Sequence, residues 1–131
     1  WNAVKASVGM TMLAACKLAA KDGLKIVLSG LGSEEAFAGY HRHVVACAAG
    51  DDATARDRTL GLAQMWHRDL QRDFAVAALA GVEIRYPFLD GDLLTKALKL
   101  PAASAVSRSP ELLTKELAAD GGKGALRAVA R

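Results

Sequence analysis

Leu24 to Leu28 (LKIVL) is a short apolar run rich in branched side chains, and it leads straight into Ser29-Gly30-Leu31-Gly32-Ser33 and then a stretch of helical spacing. Such a run suits a strand buried in a parallel sheet. The glycine-rich turn joins strand to helix and points to an α/β architecture. The rest of the chain reads as helix. One clear strand near 24–29 among so many helices predicts a mostly helical part of an α/β domain whose sheet lies largely upstream.

The helical segments follow from apolar spacing and punctuation. Val4, Val8, Met12 and Ala15 place a helix over about 2–21, and Asp22-Gly23 supplies a stop suited to a left-handed cap. Glu34 to Ala49 reads as one helix, ended by Gly50-Asp51-Asp52. From Thr54 to Ala80 the pattern predicts a long helix with room for a kink. Leu62, Trp66, Leu70 and Phe74 form its apolar stripe. Gly81 ends it and Pro87 breaks regular structure. Asp90 should cap a helix reaching Leu100, and 101–110 reads as a loop. Helices near 111–119 and after Gly121-Gly122 complete the pattern.

Composition bounds the function classes. At 131 residues with 52 % hydrophobic content, the chain can bury one domain-sized core. Its net charge of +3, from 17 basic and 14 acidic residues, is scattered along the chain and is no nucleic-acid footprint. No run of 18 uninterrupted apolar residues suggests a membrane span, and the first residues lack the pattern of a signal peptide. Cys16 and Cys47 sit in Ala-rich helical stretches without a C-x-x-C partner, as free buried thiols of a reducing, cytoplasmic compartment would. Trp1 and Arg131 give both ends the look of a cut, which predicts an exposed sheet edge and poor solubility.

Three segments could carry chemistry. The strand–SGLGS–helix turn aims backbone N–H groups at one point, where the helix dipole would favour phosphate. Glu34 and Glu35 at the helix start could hold Mg²⁺, although Ser33 as a plain cap explains the same residues. Arg68, Asp69, Arg72 and Asp73 share a face that reads equally as a solvated ion-pair surface. Lys123, at a helix start with Leu126-Arg127, could neutralise a phosphate or simply be exposed. His41 and His43 lie two apart, on different sides of a helix, and make a poor metal pair. His67 is solitary.

Together the segments are more specific. Ile26 to Tyr40 (IVLSGLGSEEAFAGY) resembles the asparagine synthetase signature S-G-E-G-[SA]-D-E-x-F-G-G-Y. Gly81 to Asp90 (GVEIRYPFLD) resembles that family's G-V-E-x-R-x-P-F-L-D, and Lys123-x-x-Leu126-Arg127 its later K-x-x-L-R. The three stand in the family's order and span the chain.

The resemblance implies a partial C-terminal synthetase domain of the PP-loop ATP pyrophosphatase type, with an adenine-nucleotide α-hydrolase-like fold. It implies ATP and Mg²⁺ as cofactors, aspartate activated as an acyl-adenylate, and ammonia from glutamine as attacking nitrogen. The family's upstream PP-loop and glutaminase domain would be further parts of the parent chain, which could dimerise. On this sequence, Ser29, Gly30, Gly32 and Ser33 would contact nucleotide, Glu34 would hold Mg²⁺ and pyrophosphate, Lys123 would bind pyrophosphate, and Asp69 and Arg72 would stand near the reacting centre.

The chain departs from the pattern at Leu31, where the family has a glutamate, at Glu34 for aspartate, at Ala38 for glycine, and at Phe74-Ala75 for a polar pair. Leu31 is similar to the S-G-L-G form of the eukaryotic asparagine synthetase domain-containing proteins. These departures leave two alternatives open: a catalytically degenerate nucleotide-binding or scaffold domain, and a ligase of the β-lactam-synthetase kind acting on another carboxylate.

Overall fold

A computed structural model describes residues 2–106 and 123–130. In chain order its elements are α1 (Ala3–Lys21), β1 (Ile26–Leu28), α2 (Ser33–Ala36), α3 (His41–Ala48), α4 (Asp51–Met65), a π-helical turn (Trp66–Leu70), α5 (Gln71–Ala80), β2 (Glu83–Arg85), a 3-10 turn (Pro87–Leu89), α6 (Gly91–Leu98), α7 (Ala102–Ala105) and α8 (Gly124–Val129). The chain divides into two compact units, one drawn from Trp1–Ser29 and Ala63–Pro87, the other from Gly30–Leu62 and Phe88–Arg131. The helix expected near 111–119 lies outside the described residues.

The first unit repeats one device. Asn2 caps α1, its side chain accepting from Lys5 N at 2.9 Å, and both α1 and α5 end on left-handed glycines, Gly23 and Gly81. The amides of Leu24 and Val82 then bond back to Ala19 and Ala77, which turns each helix sharply into a strand. β1 and β2 pair in parallel, with Val27 opposite Ile84. α1 packs along α5, and Cys16, Ala77, Val82 and Ile84 form the core under the strands, with Met12, Val27 and Tyr86 at its margin. The second unit is helical around Ala38, Val44, Ala105 and Val106. There Asp90 caps α6 as expected, accepting from Asp92 N and Leu93 N at 3.1 and 3.0 Å.

Several expectations need correction. β2 was not foreseen: Glu83 and Arg85 flank a single apolar Ile84, which is buried while its neighbours are exposed. β1 is shorter than 24–28 and only half-covered, with Ile26 and Leu28 exposed, because among the described residues it has one neighbouring strand. The single helix over 34–49 is two, broken at Phe37–Tyr40 where Ala38 adopts φ 54. The long helix begins at Asp51 and carries its irregularity as the π-helical turn. Its buried side runs through Thr54, Arg58, Gly61 and Met65, then Arg72, Asp73 and Ala77, while Trp66 and Phe74 are exposed.

By length and composition α1 is apolar enough to cross a membrane, a test that core helices of water-soluble domains also pass. Mean hydropathy brings it there, since Lys5, Lys17 and Lys21 interrupt any apolar run.

Ile84 carries most of the first unit's strand burial, at 4 % exposure. Ile84→Ala should therefore lower unfolding stability by about 3 kcal/mol, read from urea denaturation of the 131-residue chain. An unchanged midpoint would show that the strand pair does not hold the unit.

Candidate functional site

In the second unit the segment after Gly30 is wound tightly. Ser33 N bonds to Gly30 O at 3.2 Å, and Gly32 takes φ 93 with no room for a side chain, since a Cβ would stand 2.3 Å from Leu89 Cδ2. Nothing lies within 4 Å of a Cβ placed on Gly30, so its backbone is open on that side. Ser29 belongs to the first unit, where its amide extends the sheet by bonding to Arg85 O at 2.9 Å. α2 is a single turn of four residues, so the sustained helix dipole expected behind this turn is absent.

The break after α2 brings distant residues together. Gly39 N returns to Glu34 O at 2.7 Å, and Lys123 N donates to Phe37 O at 3.1 Å. Lys123 is itself left-handed at φ 62, a strained setting for a lysine. Its Nζ stands 2.6 Å from Glu34 Oε1 and donates to Ser33 Oγ at 3.0 Å, while Ser33 Oγ donates to Glu34 Oε2 at 3.0 Å. Gly39 forms the wall: a Cβ there would lie 2.8 Å from Lys123 Cε and 2.9 Å from Glu34 Cα. Burial pushes the Glu34 carboxyl up, but the hydrogen bonds from Lys123 and Ser33 outweigh it and hold the group below its usual range. Glu34 is thus an ionised carboxylate beside a hydroxyl, a hard-oxygen set of the kind that binds Mg²⁺ through one carboxylate plus phosphate oxygens. Among the described residues no group of three or more His, Cys, Asp or Glu could hold a metal ion alone.

What supports this cluster was not foreseen. Arg58 of α4 is 1 % exposed and donates Nε to Glu35 O at 3.0 Å and Nη2 to Ala36 O and to Ala97 O, the last at 2.7 Å. It ties the C-terminal end of α2, one residue beyond Glu34, to the end of α6. Gly61, one turn on, lets α4 approach: a Cβ there would meet Glu35 Cγ at 2.9 Å. The only sequence signal was the Thr54–Arg58–Gly61–Met65 spacing, a helical stripe of mixed chemistry. Arg58→Ala should cost about 3 kcal/mol in urea unfolding, because three buried carbonyls lose a charged donor. A loss below about 1 kcal/mol would mean water satisfies those carbonyls.

His43 is fully buried on α3, with Nδ1 accepting from Tyr40 N at 3.3 Å and Nε2 3.3 Å from Asp57 Oδ2. Arg42 shares Asp57 at 2.9 Å and lies over the Tyr40 ring. Burial first, then the charge of Arg42, pulls the imidazole down to about 4; Asp57 opposes this, Arg58 adds a smaller push in the same direction and Glu34 a smaller one against it. The folded state therefore binds fewer protons than the unfolded one between about 6.5 and 4. Stability should be full above that window and fall through it on acidification, by on the order of 2–3 kcal/mol. Thermal unfolding from pH 7.5 to 4 checks this, and His43→Gln should flatten the profile; an equally steep profile would assign the loss to other groups.

The first unit holds the other predicted residues. The solvated face expected for Arg68, Asp69, Arg72 and Asp73 is half-buried: Arg72 is 8 % exposed and Asp73 1 %. Arg72 bridges Asp69 at 3.5 Å and Asp73 at 2.7 Å. Burial raises the Asp73 carboxyl, with Arg72 opposing and Asp69 assisting. Asp69 lies on the π-helical turn, a local widening that often accompanies function, and Lys5 Nζ bonds to the turn's His67 O at 2.5 Å. Lys5, His67, Gln71, Arg72 and Ala75 line a cleft of about 360 Å³. The buried Tyr86 hydroxyl has no hydrogen-bond partner among the described residues. Phe74, where the family pattern is polar, packs edge-on against Tyr86 at 5.5 Å.

Comparison with known proteins settles the ancestry. The sequence model for asparagine synthase matches residues 3–52 and 46–131. The chain belongs to the asparagine synthase family. It is 35 % identical over 99 residues to a Methanocaldococcus jannaschii protein named putative asparagine synthetase 1 (glutamine-hydrolysing), covering 75 % of this chain and 18 % of that one. Asparagine synthetase domain-containing protein 1 is 33 % identical over 82 residues in Gallus gallus and 36 % over 78 in Homo sapiens, covering 62 % and 59 % of this chain and 13 % and 12 % of theirs. The chain thus spans less than a fifth of the length of these relatives. No solved structure gives a significant match. A mostly helical architecture with a short parallel sheet is consistent with a fragment of an asparagine synthase domain.

Proposed function

We propose that this chain supplies part of the synthetase site of an ATP-dependent amidotransferase, working within a longer polypeptide in the cytoplasm. The reaction would convert aspartate to asparagine through a β-aspartyl-adenylate, with ammonia from glutamine as nitrogen donor. The observation that carries this reading is the cluster of Ser33, Glu34 and Lys123, in which a lysine 90 residues downstream meets the hydroxyl and carboxylate of the SGLGS turn.

Mg²⁺ bound there would supply positive charge to offset that of phosphate oxygens. Glu34 would hold the ion, and Lys123 would meet the departing phosphates. The open backbone at Gly30 would lie against the nucleotide. In the first unit, Asp69 and the Arg72 that Asp73 holds would serve near the reacting centre, as the family resemblance implies. Most of the acceleration asked of such residues is positioning and charge neutralisation.

Leu31 favours a second reading, a domain that binds nucleotide without turning it over. In the full-length protein carrying this chain, pyrophosphate release from ATP should depend on aspartate and fall about a hundredfold or more in Lys123→Ala. Release stimulated by a different carboxylate would redirect the substrate. Absence of release with any carboxylate, with nucleotide still bound, would establish the second reading.

A further inference from the structure

Both oxygens of Glu34 are engaged. Oε1 takes the Lys123 ammonium at 2.6 Å and Oε2 takes the Ser33 hydroxyl at 3.0 Å. The same hydroxyl accepts from Lys123, so the three groups close a ring. A divalent ion on Glu34 would need an oxygen at about 2.0–2.1 Å, within contact of a like charge already held there. We propose that Lys123 acts as a resident counter-ion that keeps divalent cations off Glu34 until a polyphosphate draws the ammonium away, so that metal and phosphate enter together.

This rests on the reading of Glu34 as the metal carboxylate. The backbone geometry limits how the exchange can occur. Lys123 N is fixed to Phe37 O, its backbone is left-handed, and its Cε passes close to Gly39. The freedom left is rotation about the last bonds of the side chain, enough to swing Nζ from a carboxylate to a phosphate beside it. The lock is weak enough to open: the side chains of Lys123 and Glu34 are 28 % and 30 % exposed, and ion pairs so placed contribute little. A polyphosphate offers the ammonium several charge-assisted acceptors at once, whereas a free cation offers it none. The lone metal is therefore excluded and the metal–phosphate complex admitted.

Equilibrium dialysis of Mn²⁺ against the full-length protein carrying this chain, with and without inorganic pyrophosphate on both sides of the membrane, tests the lock by the excess metal held on the protein side. Wild type should bind Mn²⁺ weakly alone and more tightly with pyrophosphate. Lys123→Gln should bind Mn²⁺ alone roughly three- to fivefold more tightly than wild type. Lys123→Met serves the same purpose should the glutamine variant not fold, checked by circular dichroism. Glu34→Gln should weaken Mn²⁺ binding in every case. If the Lys123 variants bind Mn²⁺ alone no better than wild type while Glu34→Gln still loses it, the lock is wrong and the metal carboxylate stands. If Glu34→Gln binds Mn²⁺ with pyrophosphate as well as wild type does, the reading of Glu34 fails and the lock with it.

Discussion

The second unit depends on one buried guanidinium, that of Arg58. Arg58 spends its donors on the backbone carbonyls of Glu35, Ala36 and Ala97. Carbonyls at the ends of short helices have no partner within the helix, and α2, a single turn, has almost no internal bonding to hold its shape. A buried cation satisfies several of these acceptors together and fixes α2 against α6. Glu34 sits one residue before the first anchored carbonyl. Its direction, and the meeting with Ser33 and Lys123, follow from that anchorage.

Three cations in the fold are handled in three ways, and the differences separate support from chemistry. Arg58 is fully buried and bound to backbone, so it stays put, with burial lowering its affinity for the proton from a very high starting point. Arg72 is nearly buried and held between Asp69 and Asp73, an arrangement in which losing one partner leaves a charge uncompensated. Lys123 keeps partial exposure and a single carboxylate, so it can change partners at low cost. A rigid anchor, a fixed ion-pair network and an exchangeable ammonium are thus different devices, and the proposed phosphate contact falls to the last.

Much of this was legible in the residues, and what was not has physical causes. Helix α1, the Asp90 cap and the strand at Ile26–Leu28 follow from spacing and punctuation. Strand β2 was hidden because Glu83 and Arg85 face outward, leaving only Ile84 to report burial. The break after α2 was hidden because Ala38 carries the left-handed conformation, which alanine does not advertise. The apolar stripe of Leu62, Trp66 and Phe74 misled because the buried side of α4 and α5 is largely polar: Thr54, Arg72 and Asp73 find partners nearby in the chain, and Arg58 finds them on other elements. Lys123 could be joined to Glu34 only through the order of motifs. Arg58 and His43 had no such signal, since backbone carbonyls and amides, which every residue carries, are among their partners.

The proposed site requires Lys123 and Glu34 to act on the same metal–pyrophosphate group. A double-mutant cycle in the full-length protein, with pyrophosphate release as the readout, measures this directly. If the two act as a unit, Glu34→Gln combined with Lys123→Gln should lose little more than the worse single variant. If the two losses multiply, the residues act independently and the cluster is an ion pair of the fold rather than the site.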